Sequence, residues 1–526
     1  MQQKVRNGER VSDYDKERLQ NGSYLKPTPV AQDANPGVQR TADPRNLDNT
    51  FVRGVAWTAA VKWLTQLVTW GMTVVVARLL APSDYGLVGM AAIYVNLFTL
   101  FSEFGIGTAI VTLQDLTEGQ ISQLNTLSLL SGFLGFIISV AVAIPLGKFF
   151  RAPNLQLVVV VLSGGFIISG IRTVPYSLLQ KELRFKLLAM IEGLQGFVQA
   201  LVTLILAFLG FGYWALVLGI LSFSVTPTCL SLIWRRHSFA FPKFSSIRKA
   251  LTYSRHVVIA QLCWASYDNS DFIIAGRFLG KEALGVYTLA WTLAHAPVDK
   301  LTTLVNRVTP SVFATIQTDS EALRRYLRNI TGVMALIIFP ATIGLALVAP
   351  EFVPLVFGSK WNGVILPLEL LALHALIRSN VILLTPLLNV TGEERLVMWN
   401  SVVALLVLPV SFYLGSRWGT VGIAAVWVVV YPLVQVRLFS RIFRRLQISH
   451  AEYLRAFWPA VSGCLMLVLS IGALKFVSAG RWPLYARLAS EILVGIIAYG
   501  AVLVLFHRSY LLGIRRFLNK SRLGPI

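Results

Sequence analysis

The chain is poor in charge and in cysteine, and each shortage excludes a class of protein. Only 14% of its 526 residues are Asp, Glu, Lys or Arg, whereas a soluble domain carries about 25%. With 55% of the residues hydrophobic, there is too little polar chain between the apolar runs for a sizeable soluble catalytic domain. The three cysteines, Cys229, Cys263 and Cys464, all lie in apolar runs. They have neither the number nor the clustering of a disulfide framework or a zinc site, and read as small apolar filler. No Walker A sequence occurs, so ATP is not the direct energy source. Gly105-Ile-Gly107-Thr-Ala-Ile110 lacks the third glycine of a dinucleotide loop. No cofactor and no metal are expected.

What remains is a polytopic membrane protein. A helix needs roughly 20 apolar residues to cross the hydrocarbon core. Apolar segments fall near 55–77, 87–112, 123–147, 155–178, 187–210 and 213–234, then 250–276, 284–310, 328–349, 364–388, 396–415 and 420–440, and finally 456–476 and 487–506. The expected fold is all-α, with about 14 transmembrane helices. Residues 1–53 are polar, mixed in charge and without an apolar run, and are expected to form a disordered cytoplasmic tail.

The chain repeats itself. Ala77-Arg-Leu-Leu-Ala-Pro-Ser-Asp-Tyr-Gly86 returns as Gly276-Arg-Phe-Leu-Gly-Lys-Glu-Ala-Leu-Gly285, with Arg78 answered by Arg277, Leu80 by Leu279 and Gly86 by Gly285. An apolar run ends in Arg, a turn follows, and a second apolar run is expected directly after Gly. Farther on, Pro175, Glu182 and Arg184 recur as Pro386, Glu393 and Arg395. Two units of six spans, an even number, enter the membrane in the same direction and are parallel repeats. The expected division is an N-lobe over 54–236, a C-lobe over 237–446, and a last helix pair with a basic cytoplasmic tail over 447–526. Two such lobes can rock about a central cavity.

The net charge of +22 is chiefly a topology signal. Placing the N-terminus in the cytoplasm puts the larger share of Lys and Arg inside, including Arg235, Arg236, Lys243 and Arg248, then Arg437, Arg441, Arg444 and Arg445, then Arg508, Arg515 and Arg516. The remainder attracts anionic lipid. These charges are scattered over many loops, so a nucleic-acid partner is not expected.

Charges within spans are costly and mark paths or partners. The basic ones are Lys62, Arg172, Arg255, Lys300, Arg307 and Arg378. Polar residues recur at helical spacing on four spans: Lys62, Gln66, Thr69 and Thr73; Glu192, Gln195, Gln199 and Thr203; His295, Asp299, Thr302 and Asn306; His374, Arg378 and Thr385. Such stripes suit a hydrated lumen. They suit salt bridges to Glu103, Glu192 and Glu369 as well. Arg78 and Arg277, at span ends, read as snorkelling to headgroups or as caps on helix carbonyls. Asp268 and Asp271, in Tyr-Asp-Asn-Ser-Asp, fit buried polar pairing, ion coordination or, loosely, the metal motif of a sugar transferase. Trp63, Trp70, Trp264 and Trp291 could stack on sugar rings, pack, or face lipid.

Ala77 to Gly86, then Phe101-Ser-Glu-Phe-Gly-Ile-Gly-Thr-Ala-Ile110, then Pro175 to Phe185, then Asp271-Phe-Ile-Ile-Ala-Gly-Arg-Phe-Leu-Gly280 with Tyr287, resemble the polysaccharide-biosynthesis flippases of the multidrug/oligosaccharidyl-lipid/polysaccharide exporter superfamily. The resemblance covers roughly residues 53–510 and rests on the order and spacing of these motifs. It implies a secondary transporter rather than an enzyme. In a bacterial inner membrane, with both termini cytoplasmic, it would carry undecaprenyl-pyrophosphate-linked oligosaccharide to the periplasmic leaflet by alternating access. Membrane lipids and the polysaccharide polymerase or export machinery are the implied partners. The resemblance also implies a cationic lumen, to which Lys62, Arg172, Arg255 and Arg378 would contribute by position, with Gln66 and His295 beside them. Glu103, Glu192, Asp268, Asp271 and Asp299 are the candidates for a coupled proton or sodium ion. A multidrug antiporter of the same superfamily would want a net acidic aromatic pocket for organic cations. A membrane polymerase or ligase would want an extramembrane catalytic loop or a convergent acid–base set.

Overall fold

A computed structural model describes residues 68–513, apart from 103–104, 114, 244–246, 248–266, 318, 479–480 and 511. The expected tail over 1–53, the first part of the first span and most of the seventh lie outside the described residues. What is described is almost wholly helical. In order come α1 (Val68–Leu79), α2 (Pro82–Ser102), α3 (Ile106–Thr112), α4 (Glu118–Phe149), α5 (Leu155–Lys181), α6 (Phe185–Phe208) and α7 (Tyr213–Trp234). Then come α8 (Ser270–Ile274) with a π-turn over Ala275–Leu279, α9 (Gly280–Thr315), α10 (Ser320–Val356), a 3-10 turn over Ser359–Val364, α11 (Ile365–Val390), α12 (Glu394–Gly415), α13 (Gly419–Arg445), α14 (His450–Ser478) and α15 (Leu484–Phe506). Among the described residues nine helical stretches are long and apolar enough to cross a membrane, or ten with α1 and α2 taken as one bent pair. The chain is therefore a multi-pass membrane protein.

Local chemistry sets the helix starts. Thr117 and Gln120 form a capping box at α4: Gln120 N donates to Thr117 Oγ1 at 3.3 Å, and Thr117 N to Gln120 Oε1 at 2.9 Å. Asp319 accepts from Glu321 N and Ala322 N at the head of α10. Two expectations need correcting. The helices after the repeated turn begin before the glycines, at Pro82 and Gly280, because Pro opens a helix without needing its N–H and Asp84 closes the turn by accepting from Ala81 N at 2.9 Å. The single run expected over 87–112 is interrupted at Gly105, whose φ of 60° starts α3 afresh.

Gly86 and Gly285 explain themselves where α2 packs against α9. A Cβ on Gly86 would lie 1.6 Å from the Lys281 carbonyl oxygen, and one on Gly285 would lie 1.8 Å from that of Pro82. The step along the chain that carries Gly86 onto Gly285 also carries Pro82 onto Lys281. The repeat therefore meets itself across a local two-fold, and only glycine permits that approach. Arg78 extends this symmetry. Its Nε donates to Val356 O at 2.6 Å and its Nη2 to Leu355 O, capping the last turn of α10. In return Lys360 Nζ donates to the carbonyls of Arg78 and Leu80 at 2.7 and 2.6 Å, and Trp361 Nε1 to that of Ala77 at 2.9 Å. Arg277, the counterpart of Arg78, lies with its guanidinium carbon 5.3 Å from the ring centre of Phe149, at the last turn of α4.

The second repeated motif also has a shared role. Glu182 accepts from Arg235 Nε at 2.7 Å, and Glu393 from Arg441 Nε at 2.8 Å. In each repeat the acid between the fourth and fifth expected spans clamps an arginine at the end of the sixth. The last pair, α14 and α15, is held to α10 near both ends. Glu452 takes Arg324 and Arg328, and Glu351 takes Lys475 Nζ and Arg487 Nη2, each at 2.7 Å. Glu351 is 3% exposed, and a carboxylate so deep is tolerable because both its oxygens are paired.

Candidate functional site

Candidates read from the sequence on three separate segments converge on one cluster, which the aromatic residues of a fourth complete. Asp268 and Asp271 stand at the head of α8. One face of α9 carries Tyr287, Trp291 and His295 at successive turns, α11 supplies His374 and Arg378 one turn apart, and α13 supplies Trp427 and Tyr431 at the same spacing. α9 and α11 pack directly on one another, and α13 packs against both.

The cluster has a dry floor and a charged edge. On the floor, Asp271 is fully buried. Its Oδ2 accepts from the Tyr287 hydroxyl at 2.7 Å and from Trp427 Nε1 at 2.9 Å, and its Oδ1 from Phe272 N at 2.8 Å. Three donors satisfy the carboxylate where water would otherwise have to. Above it the rings close ranks. Trp291 stacks on His295 with centres 3.9 Å apart, His374 on Trp427 at 4.6 Å, and Tyr431 meets His374 edge-on at 5.0 Å. At the edge, Arg378 Nη1 lies 3.5 Å from Asp268 Oδ1, and both side chains keep 18% of their surface exposed. The guanidinium also lies 5.7 Å from the centre of the Trp291 ring, a cation–π arrangement.

This geometry separates two acids that the sequence treats alike. Asp271 has spent its oxygens on the aromatic floor, which is the buried polar pairing among its three readings. Asp268 holds a cation by a long contact and is the labile one. Replacing Asp271 by alanine strands the Tyr287 and Trp427 donors in a buried site, and hydrogen bonds to a charged group are worth about 1.5–3 kcal/mol each. A loss of roughly 3 kcal/mol or more is expected, read as a lowered Tm in tryptophan fluorescence. An unchanged Tm would return Asp271 to the ion-coupling candidates.

The other sequence candidates lie elsewhere or outside the described residues. Lys62, Gln66, Glu103 and Arg255 are outside them, and so are the side chains of Lys300 and Arg307. Asp299 sits one turn beyond His295 on α9, exposed. Arg172 and Glu192 form a separate chain between α5 and α6: the Arg172 guanidinium lies 5.8 Å from the Tyr176 ring centre, and the Tyr176 hydroxyl donates to Glu192 Oε1 at 3.1 Å. Arg378 pairs with Asp268 and not with Glu369, the acid on its own helix. Trp427 and Tyr431 were not among the sequence candidates, although an aromatic pair four residues apart on an apolar span is a visible signal for one shared face. Among the described residues no group of three or more His, Cys, Asp or Glu could hold a metal ion.

The fold is that of the transporters of the multidrug/oligosaccharidyl-lipid/polysaccharide exporter superfamily. A structure titled lipid II flippase MurJ, inward closed conformation, aligns with a TM-score of 0.68 at 12% identity, covering 86% of this chain and all of that one. An inward-facing multidrug resistance transporter of the superfamily's MATE family aligns at 0.59 and 15% identity, over 72% of this chain and 94% of its own. The sequence profile of the polysaccharide biosynthesis protein family matches residues 75–366, more than half of the chain. The chain belongs to that family. It is 28% identical over 497 residues to the lipopolysaccharide biosynthesis protein WzxC of Escherichia coli K12, covering 90% of this chain and 98% of that one. It is 27% identical over 448 residues to the teichuronic acid biosynthesis protein TuaB of Bacillus subtilis 168, covering 80% and 88%.

Proposed function

We propose that the protein is a flippase that carries undecaprenyl-pyrophosphate-linked oligosaccharide from the cytoplasmic to the periplasmic leaflet of a bacterial inner membrane. The two six-span units act as lobes in alternating access, and both termini lie in the cytoplasm. The reading is supported by the family, by relatives across its length named for polysaccharide biosynthesis, and by one feature of the site. Arg378 is a largely buried cation whose ion-pair partner among the described residues, Asp268, stands at 3.5 Å.

An arriving pyrophosphate competes with Asp268 for the guanidinium, whose planar fork suits phosphate oxygens. The polyprenyl tail stays in lipid while the glycan follows the polar stripes. On this orientation the Arg78, Lys360 and Gly86–Gly285 contacts lie at the periplasmic end and hold it shut, so substrate enters from the cytoplasm. With the cell interior negative, outward movement of one uncompensated negative charge gains about 2.3 kcal/mol per 100 mV. A pyrophosphodiester with two charges can thus be driven by potential, provided Arg378 stays behind. No chemical step on the substrate is involved, so the protein is a transporter and not an enzyme. A polysaccharide polymerase or export complex would take the product.

The organic-cation antiporter is disfavoured by Asp271. The acid that would hold a cation in an aromatic pocket is already bound by three donors. The test is translocation of a radiolabelled undecaprenyl-pyrophosphate oligosaccharide in proteoliposomes under an imposed potential. Flipping that scales with the potential is expected. No flipping of lipid-linked glycan, together with efflux of an organic cation, would overturn the proposal in favour of the antiporter.

A further inference from the structure

The two histidines at the centre of the cluster have their protons placed by geometry. His295 Nδ1 lies 3.0 Å from the Trp291 carbonyl oxygen, and its Nε2 lies 3.2 Å from Nδ1 of His374. A carbonyl only accepts, so His295 Nδ1 carries a hydrogen. In neutral His295, Nε2 is then an acceptor, and the hydrogen between the rings belongs to His374 Nδ1. Neutral His374 is left with a bare lone pair on Nε2. That atom is buried and has no hydrogen-bond partner among the described residues, a condition that few polar atoms in folded proteins share. His374 itself is fully buried and His295 is 1% exposed. Trp427 and Trp291 stack on the two rings and hold them in place. No ligand larger than a proton fits a lone pair so enclosed.

We infer that His374 Nε2 takes up a proton when the anionic headgroup engages Arg378. The inference rests on the flippase reading above. A proton from water forms an N–H bond at Nε2, His374 becomes an imidazolium, and no bond to the substrate is made or broken. The faces of Trp427 and Trp291 stabilise the resulting cation.

The charged and titratable groups around the pair fix the direction of coupling. They are Tyr267, Asp268 and Asp271 at α8, Tyr287 and Asp299 on α9, Arg378 on α11 and Tyr431 on α13. Asp271 is committed to its three donors and Asp268 to Arg378. In the empty site a second cation would stand one helical turn from Arg378. A bound anion lifts that repulsion, so proton and headgroup strengthen each other's binding, equally and reciprocally. Asp299, exposed one turn from His295, gives the proton a carboxylate on its way in.

The test uses the full-length protein in nanodiscs. The probe is farnesyl-pyrophosphate-linked N-acetylglucosamine, a pyrophosphodiester whose own charge is constant through neutrality. Calorimetric binding between about pH 5 and 8, in buffers of differing ionisation enthalpy, gives both affinity and protons exchanged. Affinity is expected to rise as pH falls, approaching about tenfold per pH unit with one proton taken up per probe. His374→Asn keeps a donor to His295 but removes the base, and is expected to lose most of that slope. A flat wild-type profile, or an equal slope in His374→Asn, would overturn the proton site and leave the flippase reading standing. No binding at any pH, with no flipping in proteoliposomes, would overturn both. Nitrogen-15 spectra of the wild-type imidazoles give a readout independent of the variant's folding. One buried bare nitrogen should become protonated when the probe is added, and its failure to do so would also overturn the inference.

Discussion

Arg378→Ala is expected to abolish potential-driven flipping of lipid-linked oligosaccharide. Two costs combine. Hydrogen bonds from a guanidinium to an oxyanion are worth about 1.5–3 kcal/mol each, so losing even one lowers affinity at least tenfold. The substitution also leaves Asp268 as an uncompensated carboxylate in a mostly buried position, and breaking a buried pair costs about 3–5 kcal/mol. A dead variant could therefore be merely a misfolded one. Arg378→Ala combined with Asp268→Ala removes both charges and should restore thermal stability without restoring transport. Asp268→Ala alone frees the guanidinium, so the probe should bind more tightly and leave more slowly. Initial flipping rates beside fluorescence-detected Tm values separate these effects. Wild-type flipping by Arg378→Ala would remove Arg378 from the site.

The sequence exposes single helices better than their meetings. Asp268, His295 and Arg378 stand out because a charged or titratable residue in an apolar run is conspicuous, and helical spacing places each on a face. Which faces meet is a long-range property: Arg378 and Asp268 lie on different helices with another pair of helices between them in the chain. The acids nearest in pattern, such as Glu369, were reasonable partners that the packing did not choose. Asp271 shows the same limit. Its role depends on Trp427, 156 residues away, and no periodicity reports that. Helix-end chemistry was more legible. Arg78 was readable as a cap on helix carbonyls, although not as a cap on the far end of α10, 278 residues on. The repeat was legible as a pattern, but the reason for its glycines was not. The sequence pattern puts them at the close of a turn, whereas they stand inside helices at a point where two backbones touch.

That contact makes Gly86 the second position of large expected effect. A methyl group at Gly86 meets the Lys281 carbonyl oxygen at 1.6 Å, and one at Gly285 meets the Pro82 carbonyl oxygen at 1.8 Å. Both obstacles are backbone on a packed helix, so no rotamer change relieves them and α2 and α9 must separate by an ångström or more. The hydrogen bonds beside them from Arg78 Nε and from Lys360 Nζ are 2.6–2.7 Å long and cannot follow such a shift. In a rigid core this overpacking would cost about 1–3 kcal/mol of stability. A protein that alternates between a state closed here and one open here has another way out. The same 1–3 kcal/mol, charged only against the closed state, shifts the balance roughly 5- to 150-fold towards the open one. Gly86→Ala is therefore expected to fold, to populate the state open at this end, and to flip slowly because it seldom resets to load substrate. Leu79 and Phe278 are exposed counterparts in the two repeats and suit spin labels once the native cysteines are replaced. Electron–electron resonance between them should show a longer distance in Gly86→Ala, and again in Arg78→Ala, which removes the latch without any clash. An unchanged distance and flipping rate in both would mean that this end does not open, and that the lobes exchange access by some other movement.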